Sequence, residues 1–219
     1  DWRRANPDTS HKEFKFNLKN MSVSGALFDE NKLSDVSKTM VAKLNSVEVY
    51  NMLTDWAKEY DEEFFGILTA DPEYTKSVLA IDRDVPKPRK DIAKWNEVKE
   101  YFSYMFDDLF VPDFSLPENV NSEDAKAFLT AYKDVYNPAD DRQEWFQKIK
   151  DIAPTIGFAA ETKEYKANRD NFKGHAGDLS SVLRIAVTGR RNTPDLCSIM
   201  QVLGKDKCIK RIDNMLKNI

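Results

Sequence analysis

The chain has 219 residues, of which 41% are hydrophobic and 32% charged, with a net charge of −4 and only 7 glycines. That balance excludes a disordered chain, and no apolar run approaches the roughly 18 residues that a membrane span requires. Scarce glycine also argues against a sandwich or barrel, which needs many tight turns.

The net charge hides a gradient. Residues 154–219 carry 12 Lys and Arg against 7 Asp and Glu, while the rest carries 21 against 30. An acidic body with a basic end suits an anionic partner, although ordinary surface scatter gives the same count. The opening residues include Trp2, Arg3, Arg4 and Pro7 and no apolar stretch of a signal peptide. They also lack an initiating Met, so the expectation is a piece of a longer protein. Cys197 and Cys208 form no CxxC, and His11 and His175 are the only histidines, so no zinc-type ligand set is expected. Both cysteines read as small apolar residues on helices.

Helical signals dominate the chain. Asp29 can cap a helix through Leu33, Val36, Met40 and Leu44. Ser46 can cap the next, with Val49, Leu53, Trp56 and Ala57 on one face, and residues 61–70 continue with Phe64 and Leu68. Asp71-Pro72 is a cap followed by proline at the first helical position, and that helix is expected to end near Asp84. Ile92, Trp95, Val98, Phe102, Met105 and Phe106 predict a long helix over 91–109. Residues 111–120 hold Pro112 and Pro117 without periodicity, which predicts a hinge between two subdomains. Helices are then predicted from Ser122, from Asp140, from Pro154 to about Phe172, from Asp178 to Gly189, from Thr193-Pro194 to Gly204, and from 205 to 217. The predicted fold class is all-α: two consecutive helical bundles, over 29–115 and 116–219, preceded by a linking stretch over 1–28.

Little of the sequence suggests catalysis. Residues 19–25 invite comparison with the KMSKS signature of class I aminoacyl-tRNA synthetases, but Val23 stands where that signature has its phosphate-binding lysine, and no HIGH-like motif occurs. The stretch reads instead as an extended lead into the first long helix. Nor does any P-loop, GxGxxG, HExxH or GxSxG motif appear. Two basic stretches are more informative. Residues 81–90 form a proline-stiffened loop displaying Arg83, Lys87, Arg89 and Lys90, groups suited to phosphate or base-edge contacts. Residues 183–196 stop one helix at Gly189 and start another at Thr193-Pro194, beside Arg190 and Arg191, where a helix N-terminus favours anions. Each has a plain alternative as a solvated interhelix loop.

The run Leu183-Arg184-Ile185-Ala186-Val187-Thr188-Gly189, continued by Thr193-Pro194-Asp195-Leu196 and Val202-Leu203-Gly204-Lys205-Asp206, resembles the end of bacterial-type glutamyl-tRNA synthetases. Their pattern there is L-R-x-A-L-T-G, P-x-L, L-L-G-K-E. Residues 22–33, from Ser22 through Phe28-Asp29 to Lys32-Leu33, are similar to the S-x-S-x-x-x-F-D-x-x-K-L run that opens the anticodon-binding region of that family. The two anchors lie about 150 residues apart, so the resemblance covers most of the chain.

The resemblance implies two helical subdomains forming a cage for a splayed anticodon. It assigns anticodon contacts to Arg184, Thr193, Pro194 and Leu196, with Arg190 and Arg191 beside them. A base-reading arginine of the first subdomain falls near Pro88 or Arg89, and Arg89 is the candidate. Unpaired bases offer edges to arginine and faces to apolar side chains such as Pro194 and Leu196. It further implies tRNA-Glu as partner, a cytoplasmic monomer, no catalytic residue, cofactor or metal in this stretch, and ATP with magnesium for the whole ligase. A helical protein-interaction scaffold and an independent enzyme are the competing readings.

Overall fold

A computed structural model describes residues 2–20 and 28–219. The lead-in expected over 21–27, including Val23, lies outside the described residues. Among the described residues twelve α-helices follow in chain order: α1 (Trp2–Ala5), α2 (Glu30–Val41), α3 (Ser46–Tyr60), α4 (Glu62–Ala70), α5 (Pro72–Ala80), α6 (Val98–Tyr101), α7 (Ser122–Val135), α8 (Arg142–Ile152), α9 (Thr162–Ala167), α10 (Ala176–Thr188), α11 (Leu196–Leu203) and α12 (Lys205–Asn218). Among the described residues there is no sheet, only one isolated bridge between Ala159 and His175. The all-α expectation holds.

Local chemistry sets the helix ends. Asp29 caps α2 by accepting from the amides of Asn31 and Lys32. Asn45, not Ser46, caps α3 in a reciprocal pair with Glu48, and Asp71 with Pro72 starts α5 as expected. Asp141, one residue after the expected cap, starts α8 in the same reciprocal manner with Glu144. Gly189 ends α10 at φ 65°, in the left-handed region.

Two predicted long helices are broken, leaving only the short α6 and α9 within their expected spans. The helical spacing over 91–109 is realised as turns around Trp95–Glu97 and Ser103–Met105 flanking the single-turn α6. Tertiary bonds take the carbonyls that a helix would use. Glu100 accepts from Arg190 at 2.6 Å, Tyr104 from Arg211 at 2.7 Å and Met105 from the Tyr74 hydroxyl at 2.5 Å. Over 154–172, Gly157 turns left-handed at φ 84°. Ala159 then pairs with residues 174–176, its amide bonding Gly174 at 2.9 Å and its carbonyl accepting from Ala176 at 2.9 Å.

Residues on both sides of the expected hinge share one core. Buried Val49, Phe64, Val78 and Phe102 belong to the same apolar cluster as Ala125, Phe128, Leu179 and Met200. Residues 111–120 lack regular structure yet lie across this shared core, with Gly189 packed against the Val111 carbonyl. Moving the halves apart at that segment would require opening the core. A methyl group at 189 would meet the Val111 oxygen in a backbone conformation that disfavours side chains. Gly189→Ala is therefore expected to cost about 2 kcal/mol or more of unfolding free energy in a denaturant titration. An unchanged midpoint would contradict this placement.

Candidate nucleic-acid interface

The two basic stretches, about a hundred residues apart in sequence, meet at one seam. Asp82, at the start of the proline-stiffened loop, adopts φ 54°, a left-handed value that aspartate tolerates better than most residues. Its carboxylate accepts from the Asp195 amide at 2.9 Å. Arg142 of α8 bridges the same pair, 3.1 Å from Asp195 and 3.7 Å from Asp82. Arg89 and Pro194 line one small crevice with Asp91 and Tyr101.

Within the loop, Lys87, Arg89 and Lys90 are exposed, as expected. Arg83 is not displayed. It is half-buried and donates to the carbonyls of Leu79, Val41 and Leu44, tying α2 to α5. Arg89 makes a two-point contact with Asp91, at 2.6 and 3.3 Å, and the Tyr101 hydroxyl donates to the same carboxylate at 2.6 Å. The loop thus presents an oriented guanidinium rather than a free one.

The corner differs from its prediction. Helix α11 begins at Leu196, not at Thr193-Pro194, because Asp195 serves as cap and accepts from the Ser198 amide at 2.9 Å. The helix N-terminus expected to attract an anion is already met by this carboxylate. Thr193, Pro194 and Leu196 are all buried. Arg184 is half-buried, and one of its terminal nitrogens donates to the Thr193 hydroxyl and to the Pro194 carbonyl at 2.9 Å. In this conformation Arg184 holds the corner in shape, and Pro194 and Leu196 support it from beneath. Arg190 ties the corner to the first half through Glu100 and Ser103. Arg191 is exposed and donates to the Leu116 carbonyl at 3.3 Å.

Sequence reasoning missed the contribution of α8. Arg184 and Leu196 open onto a groove whose other wall is Arg142, Phe146, Gln147 and Lys150. Phe146 is only half-buried. The i, i+4, i+8 spacing of Arg142, Phe146 and Lys150 was the available signal: two cations flanking an aromatic on one helix side. Lys150 sits 5.3 Å from the Phe146 ring centre. Lys150 is half-buried and paired with Glu161 at 2.6 Å, so the exposed Arg142 and the partly open Phe146 are what the groove offers to a phosphate and a base. Among the described residues no His, Cys, Asp or Glu cluster could hold a metal ion, and no helix is long and apolar enough to cross a membrane.

Residues 48–216 match the family model described as an anticodon binding domain. The chain belongs to that anticodon-binding family. Its relatives include the glutamate--tRNA ligase of Acetivibrio thermocellus, 44% identical over 99% of this chain and 40% of the relative. Those of Clostridium perfringens and Sorangium cellulosum are 43% and 40% identical, over 97% and 99% of this chain and 40% and 38% of the relative. The chain therefore spans about two fifths of the length of the curated relatives it matches. Both the loop and the corner fall inside the region shared with the anticodon-binding family, whereas α2 precedes it.

The Arg89–Asp91–Tyr101 cluster predicts a pH response for an anticodon-binding surface built on it. Burial pushes the Asp91 carboxyl up, but hydrogen bonds from Arg89 and Tyr101 outweigh it and hold the group below its usual range. A lowered folded-state value contributes stability above the ordinary carboxylate range, and that stability is lost as pH falls through the folded value. The loop is therefore expected to loosen below about pH 4. In Asp91→Asn that part of the acid dependence should vanish, as read from amide exchange of residues 83–91. Identical acid profiles for the two proteins would contradict the assignment.

Proposed function

We propose that this chain is the anticodon-recognition part of a glutamate–tRNA ligase and that it binds the anticodon loop of tRNA-Glu across the seam. The observation that carries this reading is the junction of two basic stretches into one surface, fixed by Asp82, Arg142 and Asp195. Lys87, Lys90, Arg142 and Arg191 are exposed around that junction. Such groups neutralise phosphates and set the register of a strand, while Arg89 and the α8 groove meet base edges and faces. Arg184, Thr193, Pro194, Leu196 and Arg190 act chiefly by fixing the corner, with the outward part of Arg184 facing the groove.

The printed name of the relatives, glutamate--tRNA ligase, supports the choice of glutamate and of a tRNA. The whole enzyme would join glutamate to tRNA-Glu with ATP and magnesium in the cytoplasm, in a part of the protein outside this chain. No step of that ligation is assigned to the residues described here; their work is to hold the anticodon so that the distant acceptor end is presented correctly. A monomer suffices, since both halves of the seam come from one chain.

The test is the salt dependence of tRNA binding. If three to four phosphates are contacted along an unpaired strand, the logarithm of the association constant falls with a slope of about −2 to −3 against log salt. Absence of binding at low salt, or affinity unchanged by salt, would favour the protein-scaffold reading instead.

A further inference from the structure

Helix α2 has its apolar residues on the wrong side for a core helix. Leu33, Val36 and Met40 form the stripe that helical spacing picks out, yet they are 55%, 53% and 57% exposed. The face turned to the body holds Ser34, Ser37, Lys38 and Val41. It is fixed there by the Ser37 hydroxyl, 2.6 Å from the Ala93 carbonyl, and by Arg83, 2.8 Å from the Val41 carbonyl. None of the twelve residues of α2 is buried. Its position is therefore set by polar bonds while its apolar stripe faces outward, which marks an interaction surface.

We infer that the outward face of α2 is an intramolecular docking surface for the portion of the full-length protein that lies outside this chain. The inference rests on the reading of the chain as part of a longer ligase. Two observations choose this occupant. The exposed large apolar residues Phe14, Phe16, Leu18 and Phe28 fall in the same stretch as the stripe, ahead of the family-matched residues 48–216. The relatives carry well over half of their length beyond what this chain covers. A covalently attached neighbour also docks without the translational entropy that a second copy would lose.

The test is thiol labelling of Val36→Cys. Native Cys197 and Cys208 are buried and give little background. Lys126→Cys, at an exposed site on α7, is the control. Maleimide should label Cys at position 36 rapidly in this chain and at least tenfold more slowly in the full-length protein, with the control labelled alike in both. Equal rapid labelling in both proteins would overturn the inference. Slow labelling in both would also overturn it: a concentration-dependent rate would mean a second copy covers the face, and a concentration-independent rate would mean this chain covers it itself. Binding of tRNA-Glu by the same variants is scored separately. Its loss alongside a protected position 36 would sink the functional reading and leave the docking surface standing.

Discussion

Arg211→Ala is expected to remove about 2–5 kcal/mol of folding stability, from two buried carbonyls left without a donor and from lost packing. Arg211 lies on α12 and is 6% exposed. One terminal nitrogen donates to the carbonyls of Tyr104 and Val187, each at 2.7 Å, and the other approaches Asp107 at 3.3 Å. The guanidinium also lies 3.7 Å from the ring centre of Phe110. Burial pulls its pKa down, and the nearby Asp107 opposes that shift. Asp107 itself is mostly solvent-exposed, so the two carbonyls rather than the ion pair carry the argument. Truncation leaves those carbonyls buried without a donor and opens a space beside Phe110. For a chain of this size the melting temperature should fall by roughly 10 °C. A fall of less than about 2 °C would mean that water replaces the donor and that Arg211 does not join the last helix to the turn at 103–105.

Arg184→Ala is expected to weaken binding of an anticodon stem-loop by roughly tenfold to a hundredfold, equivalent to about 1–3 kcal/mol, a range borrowed from duplex readout. The loss should come from corner geometry as well as from direct contact, because the side chain bonds Thr193 and Pro194. Two arms separate these contributions. Arg184→Lys keeps the charge but lacks the planar guanidinium whose one terminal nitrogen reaches both acceptors, so it should recover little affinity if geometry dominates. If Arg184 reads a base, discrimination between cognate and altered anticodons should narrow with affinity. If it holds only phosphate, all stem-loops should weaken alike and the salt slope should become shallower. Unchanged affinity, discrimination and salt slope in a folded Arg184→Ala protein would make the residue purely structural.

The helical class of the fold was legible because capping and spacing are local. Asp29, Asp71 with Pro72, and Gly189 act within a turn of their own positions and behave as read. Residues 91–109 failed because their spacing is helical while their carbonyls are claimed by Arg190, Arg211 and Tyr74 from elements that no local pattern reveals. Helix α2 shows the converse: its stripe was correctly found, but spacing cannot say whether such a stripe faces this core or another. The candidate site was legible as two basic stretches and a family-like motif. Their union was not, since Asp82 and Asp195 meet across 113 residues. Nor could the sequence show that Thr193, Pro194 and Leu196 would be buried supports rather than open contacts.

The central claim is that the seam between the loop at 82–91 and the corner at 189–195 receives an anticodon. Chemical footprinting of tRNA-Glu bound to this chain tests it most directly. The account predicts protection of the anticodon-loop nucleotides, relieved by combined neutralisation of Arg89, Arg142 and Arg191, with the acceptor stem reactive throughout. Protection of the acceptor stem or elbow with an unprotected anticodon loop would contradict it.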